Sequence, residues 1–197
     1  MDSTLSAAIV TAAVTVVVAL TSYLITYWNN ILLSQRAEKL NRINKQLSEF
    51  YGPLYSLVAA GNQAWTAFRK KYRSDIPYFG GSPPPTDEDL EAWRLWITTV
   101  FMPQNLQLYE LVISKADLII ESDMPDCLRD FCAHVASYRV VLKKWENQDF
   151  SEHRPIINYP GKSLAEYSYR SFTDLKRRQA ELLGKSDRTK SSSAHIR

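Results

Sequence analysis

The sequence predicts an all-α protein in which one N-terminal transmembrane helix continues into a cytosolic bundle of about five helices. The first observation behind this prediction is an apolar stretch, residues 5 to 28, that carries no charged side chain. The second is the helical spacing of apolar residues through most of the remaining chain. The third is the low glycine count, six in 197 residues, which argues against a loop-rich or all-β design.

The apolar segment, Leu5 to Trp28, is long enough to cross a membrane. As a helix it would measure about 36 Å, against about 30 Å for a bilayer's hydrocarbon core. A cleavable signal peptide is the alternative, and it requires a basic start and a small-residue cleavage site. The first six residues, MDSTLS, contain only an acid, and the segment ends in aromatic residues typical of a membrane interface, Tyr23, Tyr27 and Trp28. We therefore predict a retained span.

The charges around this segment predict its orientation. Only Asp2 precedes it, whereas four basic residues follow it closely, Arg36, Lys39, Arg42 and Lys45. Lys and Arg are retained on the cytoplasmic side of a membrane. We expect a single-pass membrane protein, with residues 1–4 outside, residues 29–184 as a cytosolic α-helical domain and residues 185–197 as a disordered polar tail.

Small and weakly polar residues line one face of the predicted span at alternating spacings of four and three. They are Ala8, Ala12, Thr15, Ala19, Ser22 and Thr26. Such a face lets two helices approach closely, which predicts a homo-oligomer. The same register continues beyond the membrane as a seam of apolar residues that includes Leu40, Ile43, Leu47, Phe50, Leu54 and Leu57. This seam either extends the self-association surface or packs inside the protein's own bundle.

Prolines, glycines and capping residues divide the rest of the chain into helices. We expect the first helix to bend or end at Gly52-Pro53, since proline lacks a backbone donor and crowds the preceding turn. The later helices are predicted over residues 53–72, 86–101 with Thr86 as N-cap, 103–120, about 123–145, and 163–183 with Ser163 as N-cap and Gly184 as the stop. Residues 74–85 and 147–162 are predicted as irregular connections.

Charge is distributed unevenly along the chain. Residues 36–73 contain eight Lys or Arg and two acids, residues 74–126 contain two and ten, and residues 127–197 contain fourteen and eight. A basic region beside the bilayer suits anionic lipid headgroups. The acidic middle suits pairing with the basic ends, and ordinary solvated helix faces remain an equal alternative.

Basic residues at two helix ends suggest an anionic-ligand site. The candidates are Trp65 or Tyr72 as a stacking partner and the cations Arg69, Lys70, Lys71, Arg73, Arg177 and Arg178. Converging cations beside an aromatic ring favour a nucleotide or another small anion. A solvated face or a patch that faces lipid headgroups explains the same residues, and nucleic acid is a less favoured partner.

Catalytic and metal chemistry have weak sequence support. Glu152 and His153, in an irregular segment, are the candidates for acid–base catalysis. The chain has no P-loop, dinucleotide fingerprint, HExxH or GxSxG motif. Cys127, Cys132 and His134 do not have the spacing of a structural zinc site, so we predict no metal and no cofactor, with both thiols reduced.

Two phrases, FYGPLYSL and AHVASYRVVLKKWENQDFSEH, resemble those of an uncharacterised group of bacterial single-span membrane proteins. The resemblance covers most of residues 40–183 and rests on packing and turn residues. It implies an inner-membrane protein with a helical cytosolic domain, and it implies no activity.

These observations favour a membrane-anchored, self-associating helical module that binds a cytosolic protein or a small anionic signal. A bacterial stress or phage-defence membrane effector is one form of this hypothesis. The alternatives are a membrane-tethered enzyme of unrecognised class and a nucleotide-binding sensor.

Overall fold

The computed structural model describes residues 3 to 184, and within that range the chain is helical without a β-strand. It contains four continuous helices. They are α1 (Ser3–Gln46, Leu47–Tyr51 and Gly52–Tyr72), α2 (Asp87–Trp96, Ile97–Phe101 and Met102–Ser114), α3 (Asp126–Glu146) and α4 (Gly161–Leu182). The all-α class is confirmed, whereas a bundle of about five helices is not. The predicted tail, residues 185–197, and the first two residues of the predicted external N-terminus lie outside the described residues.

The helix count differs from the prediction because α1 and α2 each pass through a proline. In α1 a π-helical segment, Leu47–Tyr51, precedes Pro53, and the Gly52 N–H donates to the carbonyl of Leu47 five residues earlier. Proline has no N–H and its ring crowds the carbonyl four residues earlier, so a wider turn just before it relieves the conflict. A Cβ atom on Gly52 would lie 2.5 Å from the Leu47 oxygen, so glycine fits this turn without a clash.

The same arrangement occurs in α2, where the π-helical segment Ile97–Phe101 precedes Pro103. The Met102 N–H donates to the carbonyl of Ile97, again five residues earlier. We call Leu47–Tyr51 the first π turn and Ile97–Phe101 the second π turn. Their sequences, LSEFYGP and ITTVFMP, share a hydroxyl residue in the second position, an aromatic in the fifth and proline two residues later.

The apolar segment forms the first part of α1 and stands clear of the rest of the protein. Its side chains are exposed wherever the structure describes them, and the helix is long and apolar enough to cross a membrane. Four threonine hydroxyls donate to carbonyls four residues earlier at 2.7 to 2.9 Å, those of Thr11, Thr15, Thr21 and Thr26. These hydroxyls therefore need no water, which suits a hydrocarbon environment.

The four-helix domain begins near Arg36, and α4 runs antiparallel to α1 within it. Arg36 Nε donates to the carbonyl of Leu182, 2.7 Å away, at the end of α4. Further along, the rings of Tyr55 and Phe172 stack with centroids 5.0 Å apart. The second half of α2 packs on α1, and α3 packs on both α2 and α4.

The apolar seam predicted from the sequence lies in the core of the domain and at its edge. Leu47, Phe50 and Leu54 are buried against the other helices, and Leu40, Ile43 and Leu57 are half-buried. The seam therefore packs inside the protein's own bundle, one of the two alternatives that the sequence left open. Burying these side chains supplies much of the hydrophobic stabilisation of the domain.

Helix ends match the predictions in part. Thr86 is the N-cap of α2, with a reciprocal capping box to Asp89 as expected. α4 begins at Gly161, and Ser163 Oγ donates to the carbonyl of Pro160. The predicted cap at Ser163 is therefore wrong. α2 ends at Ser114 and is followed by a 3₁₀ turn, Ala116–Leu118, so the predicted helix to residue 120 is shorter than expected.

Candidate ligand-binding cavity

A cavity of about 610 Å³ opens among all four helices and the segment of residues 147–160, which we call the cavity loop. Its volume lies within the range of about 300 to 1,000 Å³ that is usual for small-molecule sites. α1 and α2 form one wall with Gly61, Asn62, Trp65, Trp93, Ile97, Phe101, Gln104 and Asn105. α3, the cavity loop and the start of α4 form the other with His134, Tyr138, Arg154, Pro155, Asn158, Tyr159, Gly161, Lys162 and Ala165.

Aromatic rings build the apolar part of the cavity. Trp65 meets Trp93 edge to face, with centroids 6.0 Å apart, and it meets Phe101 at the same distance. Phe68, which is fully buried, supports these rings from behind. Trp65 nevertheless keeps 38% of its surface exposed. The sequence predicted Trp65 as a stacking residue, and the structure places its side chain in the cavity wall.

A polar contact joins α1 to α2 at the edge of the cavity. Gln104 Nε2 donates to the carbonyl of Leu57, 2.7 Å away. A Cβ atom on Gly61 would lie 3.3 Å from Gln104 Oε1, so the missing side chain at Gly61 gives Gln104 room to reach α1. The amide of Gln104 is therefore already engaged by the protein.

Aromatic donors fix the cavity loop in place. Trp93 Nε1 and the Tyr138 hydroxyl both donate to the carbonyl of His153, at 2.8 and 3.0 Å. Trp145 Nε1 donates to the carbonyl of Glu152 at 2.7 Å. Buried indole and phenol groups need such partners, so these bonds hold the loop while the rings fill the core. The loop thereby presents its following residues to the cavity.

His134 presents a hydrogen-bond acceptor to the cavity. Its side chain is buried, and Nδ1 lies 2.7 Å from the carbonyl oxygen of Ile157. Because a carbonyl only accepts, Nδ1 carries the proton, and the neutral ring leaves Nε2 as an acceptor. Burial lowers the pKa of His134 and outweighs the opposing hydrogen bond to Ile157. The ring is therefore neutral near pH 7.

Positive charge lies at the rim of the cavity. Arg154 stacks over the ring of Phe79, 5.3 Å from its centroid, and Lys162 lies 4.0 Å from Glu166 with both side chains largely exposed. α4 begins at Gly161 without a side-chain cap, so its first N–H groups add positive potential there. The cavity-lining residues include no Asp or Glu in the part of the chain that the structure describes.

The two predicted arginines at the end of α1 have structural partners. Arg69 donates to the carbonyls of Arg73 and Ile76, and Arg73 is buried against Asp89, 3.3 Å away, and the carbonyl of Pro83. Backbone bonds from Thr86, together with Arg73, hold the pKa of Asp89 below its usual value. These arginines close the turn after α1. Lys70 and Lys71 remain exposed at the helix end.

The other two predicted cations lie far from the first four. Arg177 pairs with Asp174 and Glu181 on the surface of α4, and Arg178 is exposed beside it. This part of α4 contacts Asn44 through Gln179. Asn44 lies about 39 Å before Lys70 along α1, at 1.5 Å per residue. The structure thus separates the two halves of the predicted basic pocket.

The backbone carbonyls of Glu152 and His153 accept the hydrogen bonds that hold the cavity loop, whereas the two side chains contact other residues. The Glu152 carboxylate pairs with Lys144 at 2.7 Å, and the His153 ring stacks on Phe79 with centroids 6.4 Å apart. Burial, reinforced by the charge of Arg94, lowers the pKa of His153. Neither side chain lines the cavity. Their proposed catalytic role stays a prediction.

The predicted oligomerisation face lies along the apolar segment. Five of its six residues are exposed there, Ala12, Thr15, Ala19, Ser22 and Thr26, and Ala8 lies in the same helix. No group of three or more potential metal ligands converges among the described residues. Cys127 and Cys132 are free and half-buried, and burial raises the pKa of both thiols.

Comparisons with protein-family models, with curated proteins and with solved structures give no match for this chain. The chain forms a four-helix domain with a mixed apolar and polar cavity. The first helix of this domain begins as the apolar segment.

Of the residues that line the cavity, the sequence analysis named only Trp65 as a ligand-binding candidate, and it named none of the polar ones in that role. His134 was detectable in principle, because it is a polar residue beside the apolar stripe of Phe131, Val135 and Tyr138 on α3. Arg154 and Lys162 carry no such signal, since each lies in a stretch of ordinary surface residues and is brought to the cavity by the tertiary fold.

Proposed function

We propose that this chain is a membrane-anchored helical receptor module. Its apolar segment crosses the bacterial inner membrane once, its four-helix domain lies in the cytosol, and its cavity binds a small cytosolic molecule. The observation that carries the proposal is that α1 serves both parts, because the helix that starts as the apolar segment also supplies Gly61, Asn62 and Trp65 to the cavity wall.

The proposed orientation follows from charge. Arg36, Lys39, Arg42 and Lys45 follow the apolar segment, and Lys and Arg are retained on the cytoplasmic side. All four side chains are exposed on the helix, where they suit anionic lipid headgroups, and Arg36 also donates to the carbonyl of Leu182 at the end of α4. The domain would thus be held close to the inner leaflet.

Binding of a small molecule is testable before its identity is known. Asn62→Trp places a large ring in the cavity, and Ser56→Trp places the same ring on an exposed position of α1 outside it. A low-molecular-mass cytosolic extract should raise the thermal unfolding midpoint of the full-length chain in nanodiscs, because a ligand stabilises the state that binds it. The shift should persist in Ser56→Trp and vanish in Asn62→Trp. Equal shifts in both variants, or none in the wild type, would contradict the proposal.

Self-association through the apolar segment is the second part of the proposal. Small side chains on one face allow close helix packing, and leucine at those positions would separate the backbones. The combined substitution Ala12→Leu, Ala19→Leu and Ser22→Leu should reduce the oligomer size measured by mass photometry in detergent. Ala13→Leu, Val17→Leu and Thr21→Leu, on the opposite face, form the matched control and should leave it unchanged. An equal size in both variants would exclude this face as the interface.

A further inference from the structure

We infer that the cavity accepts a planar heteroaromatic ring that carries an anionic group, which is the chemistry of a nucleoside monophosphate. The inference rests on the proposed function, because it names the class of molecule that the cavity binds. It differs from the site expected from the sequence, because it uses Arg154 and Lys162 in place of the cations at the end of α1.

The charge of the cavity selects for an anion. Within residues 3–184, no carboxylate lies within ion-pairing distance of Arg154, whose guanidinium contacts the face of Phe79. Lys162 reaches only Glu166, at 4.0 Å and on an exposed surface, where such a pair contributes little. The uncapped start of α4, Gly161, also lines the cavity, next to Lys162. Guanidinium, ammonium and helix N–H groups together match a phosphate or carboxylate.

The aromatic residues of the cavity match a flat ring. Trp65 on α1 and Tyr159 on the cavity loop both line the cavity and keep 38% and 37% of their surfaces exposed. Trp93 lies beside Trp65 and is itself buried. Aromatic side chains that stay partly exposed inside a cavity are the usual stacking partners of nucleobases.

The polar groups between these walls match the edge of a heterocycle. Asn62, Asn105 and Asn158 each offer a donor and an acceptor, and their side chains make no hydrogen bond to other described residues. His134 adds a buried acceptor, Nε2, whose ring orientation is held by Ile157. Gln104 donates one N–H to Leu57 and keeps its Oε1 as a further acceptor. A ring with both donors and acceptors on its edge suits this set best.

The test is equilibrium binding to the full-length chain in nanodiscs of zwitterionic lipid. The probes are AMP, GMP, CMP and UMP, each compared with its nucleoside and with ribose 5-phosphate. At least one monophosphate should bind about tenfold more tightly than its nucleoside and than ribose 5-phosphate, because it combines ring and charge. Equal binding of the nucleoside overturns the anion requirement, and equal binding of ribose 5-phosphate overturns the ring requirement.

Matched variants locate the binding. Arg154→Gln with Lys162→Gln removes two positive charges from the rim, and Arg129→Gln with Lys176→Gln removes two from exposed positions outside the cavity. We expect the rim pair to weaken monophosphate binding about tenfold or more and the control pair to leave it unchanged. All four side chains are exposed, so both variants should fold, which circular dichroism checks.

The result separates the two proposals. If no monophosphate binds while the cytosolic extract still stabilises the wild type and not Asn62→Trp, the ligand class is wrong and the receptor function stands. If the extract also has no effect, the receptor function fails with it. An equal loss of binding in the rim and control variants overturns the assignment of Arg154 and Lys162.

Discussion

The two π turns solve the same backbone problem in different surroundings. Each lets a helix pass through a proline, at Pro53 and at Pro103. The first π turn is closed by packing, with Phe50 and Tyr51 fully buried. The second borders the cavity through Ile97 and Phe101. The first turn therefore lies in the packed core of the domain, and the second lies beside open volume.

The polar groups near the two turns show the same contrast. At the first turn the Tyr51 hydroxyl accepts from the Ile120 N–H at 3.0 Å and shares a hydrogen bond of 3.1 Å with Tyr167, whose hydroxyl donates to Glu121 at 3.0 Å. Burial raises the pKa of both tyrosines, so both stay protonated. Beside the second turn, Asn62 and Asn105 have side-chain amides without partners among the described residues. One region is internally satisfied, and the other is available to a ligand.

Changing the glycine of the first π turn should cause the largest loss of stability. Alanine normally stabilises a helix relative to glycine by about 1 kcal/mol. At Gly52 the new Cβ would lie 2.5 Å from the Leu47 carbonyl oxygen, a backbone atom that moves only with the helix. Gly52→Ala should therefore lower the free energy of unfolding by about 1–3 kcal/mol, measured by urea denaturation. Ser56→Ala, exposed on the same helix, is the control, and a Gly52→Ala variant as stable as wild type would show that the turn tolerates a side chain.

Two tyrosine substitutions compare the hydrogen bonds at the first π turn with those that hold the cavity loop. Tyr51→Phe removes a buried hydroxyl that accepts from the Ile120 N–H and shares a hydrogen bond with Tyr167, which should cost about 1–3 kcal/mol of unfolding free energy. Tyr138→Phe removes one of two donors to the His153 carbonyl, and Trp93 Nε1 remains, so about 0.5–1.5 kcal/mol is expected. Both phenols are buried, so chemical denaturation compares like with like. A larger loss for Tyr138→Phe would contradict the view that the hydrogen bonds at the first π turn contribute more to stability than those that hold the cavity loop.

The smallest expected effect is a pH dependence confined to the cavity side. The folded pKa of His134 lies below its ordinary value of 6.5, chiefly through burial. As the pH falls below 6.5, the unfolded histidine therefore binds a proton while the folded histidine is still neutral. Its contribution to stability is complete above that pH and is lost progressively down to the folded pKa.

This pH dependence is measured by urea denaturation at several pH values. His153 is depressed in the same direction and adds to the slope in the wild type. His134→Asn keeps a donor near Ile157 and removes the titration, so its unfolding free energy should change less between pH 7 and pH 5. An unchanged slope would mean that the His134 ring is not held neutral by its surroundings.

Local rules predicted the parts of this fold that depend on local chemistry. The apolar segment, the Thr86 cap and the apolar stripes on α3 are read from composition and spacing, and the all-α class follows from them. A bend or an end was expected at Pro53 and a break at Pro103, whereas both helices continue through π turns that local rules for proline do not anticipate. The cavity was missed because Asn62, Arg154 and Lys162 lie on α1, the cavity loop and α4, and only the tertiary fold brings them to one cavity.

Native mass spectrometry tests whether this protein is a membrane-anchored receptor that assembles through its apolar segment. The full-length chain would be released from nanodiscs in the presence of the four nucleoside monophosphates. The account predicts oligomers in which each chain retains one nucleotide, and loss of that nucleotide, with the oligomer intact, in the Arg154→Gln and Lys162→Gln variant. Monomers without bound nucleotide would contradict it.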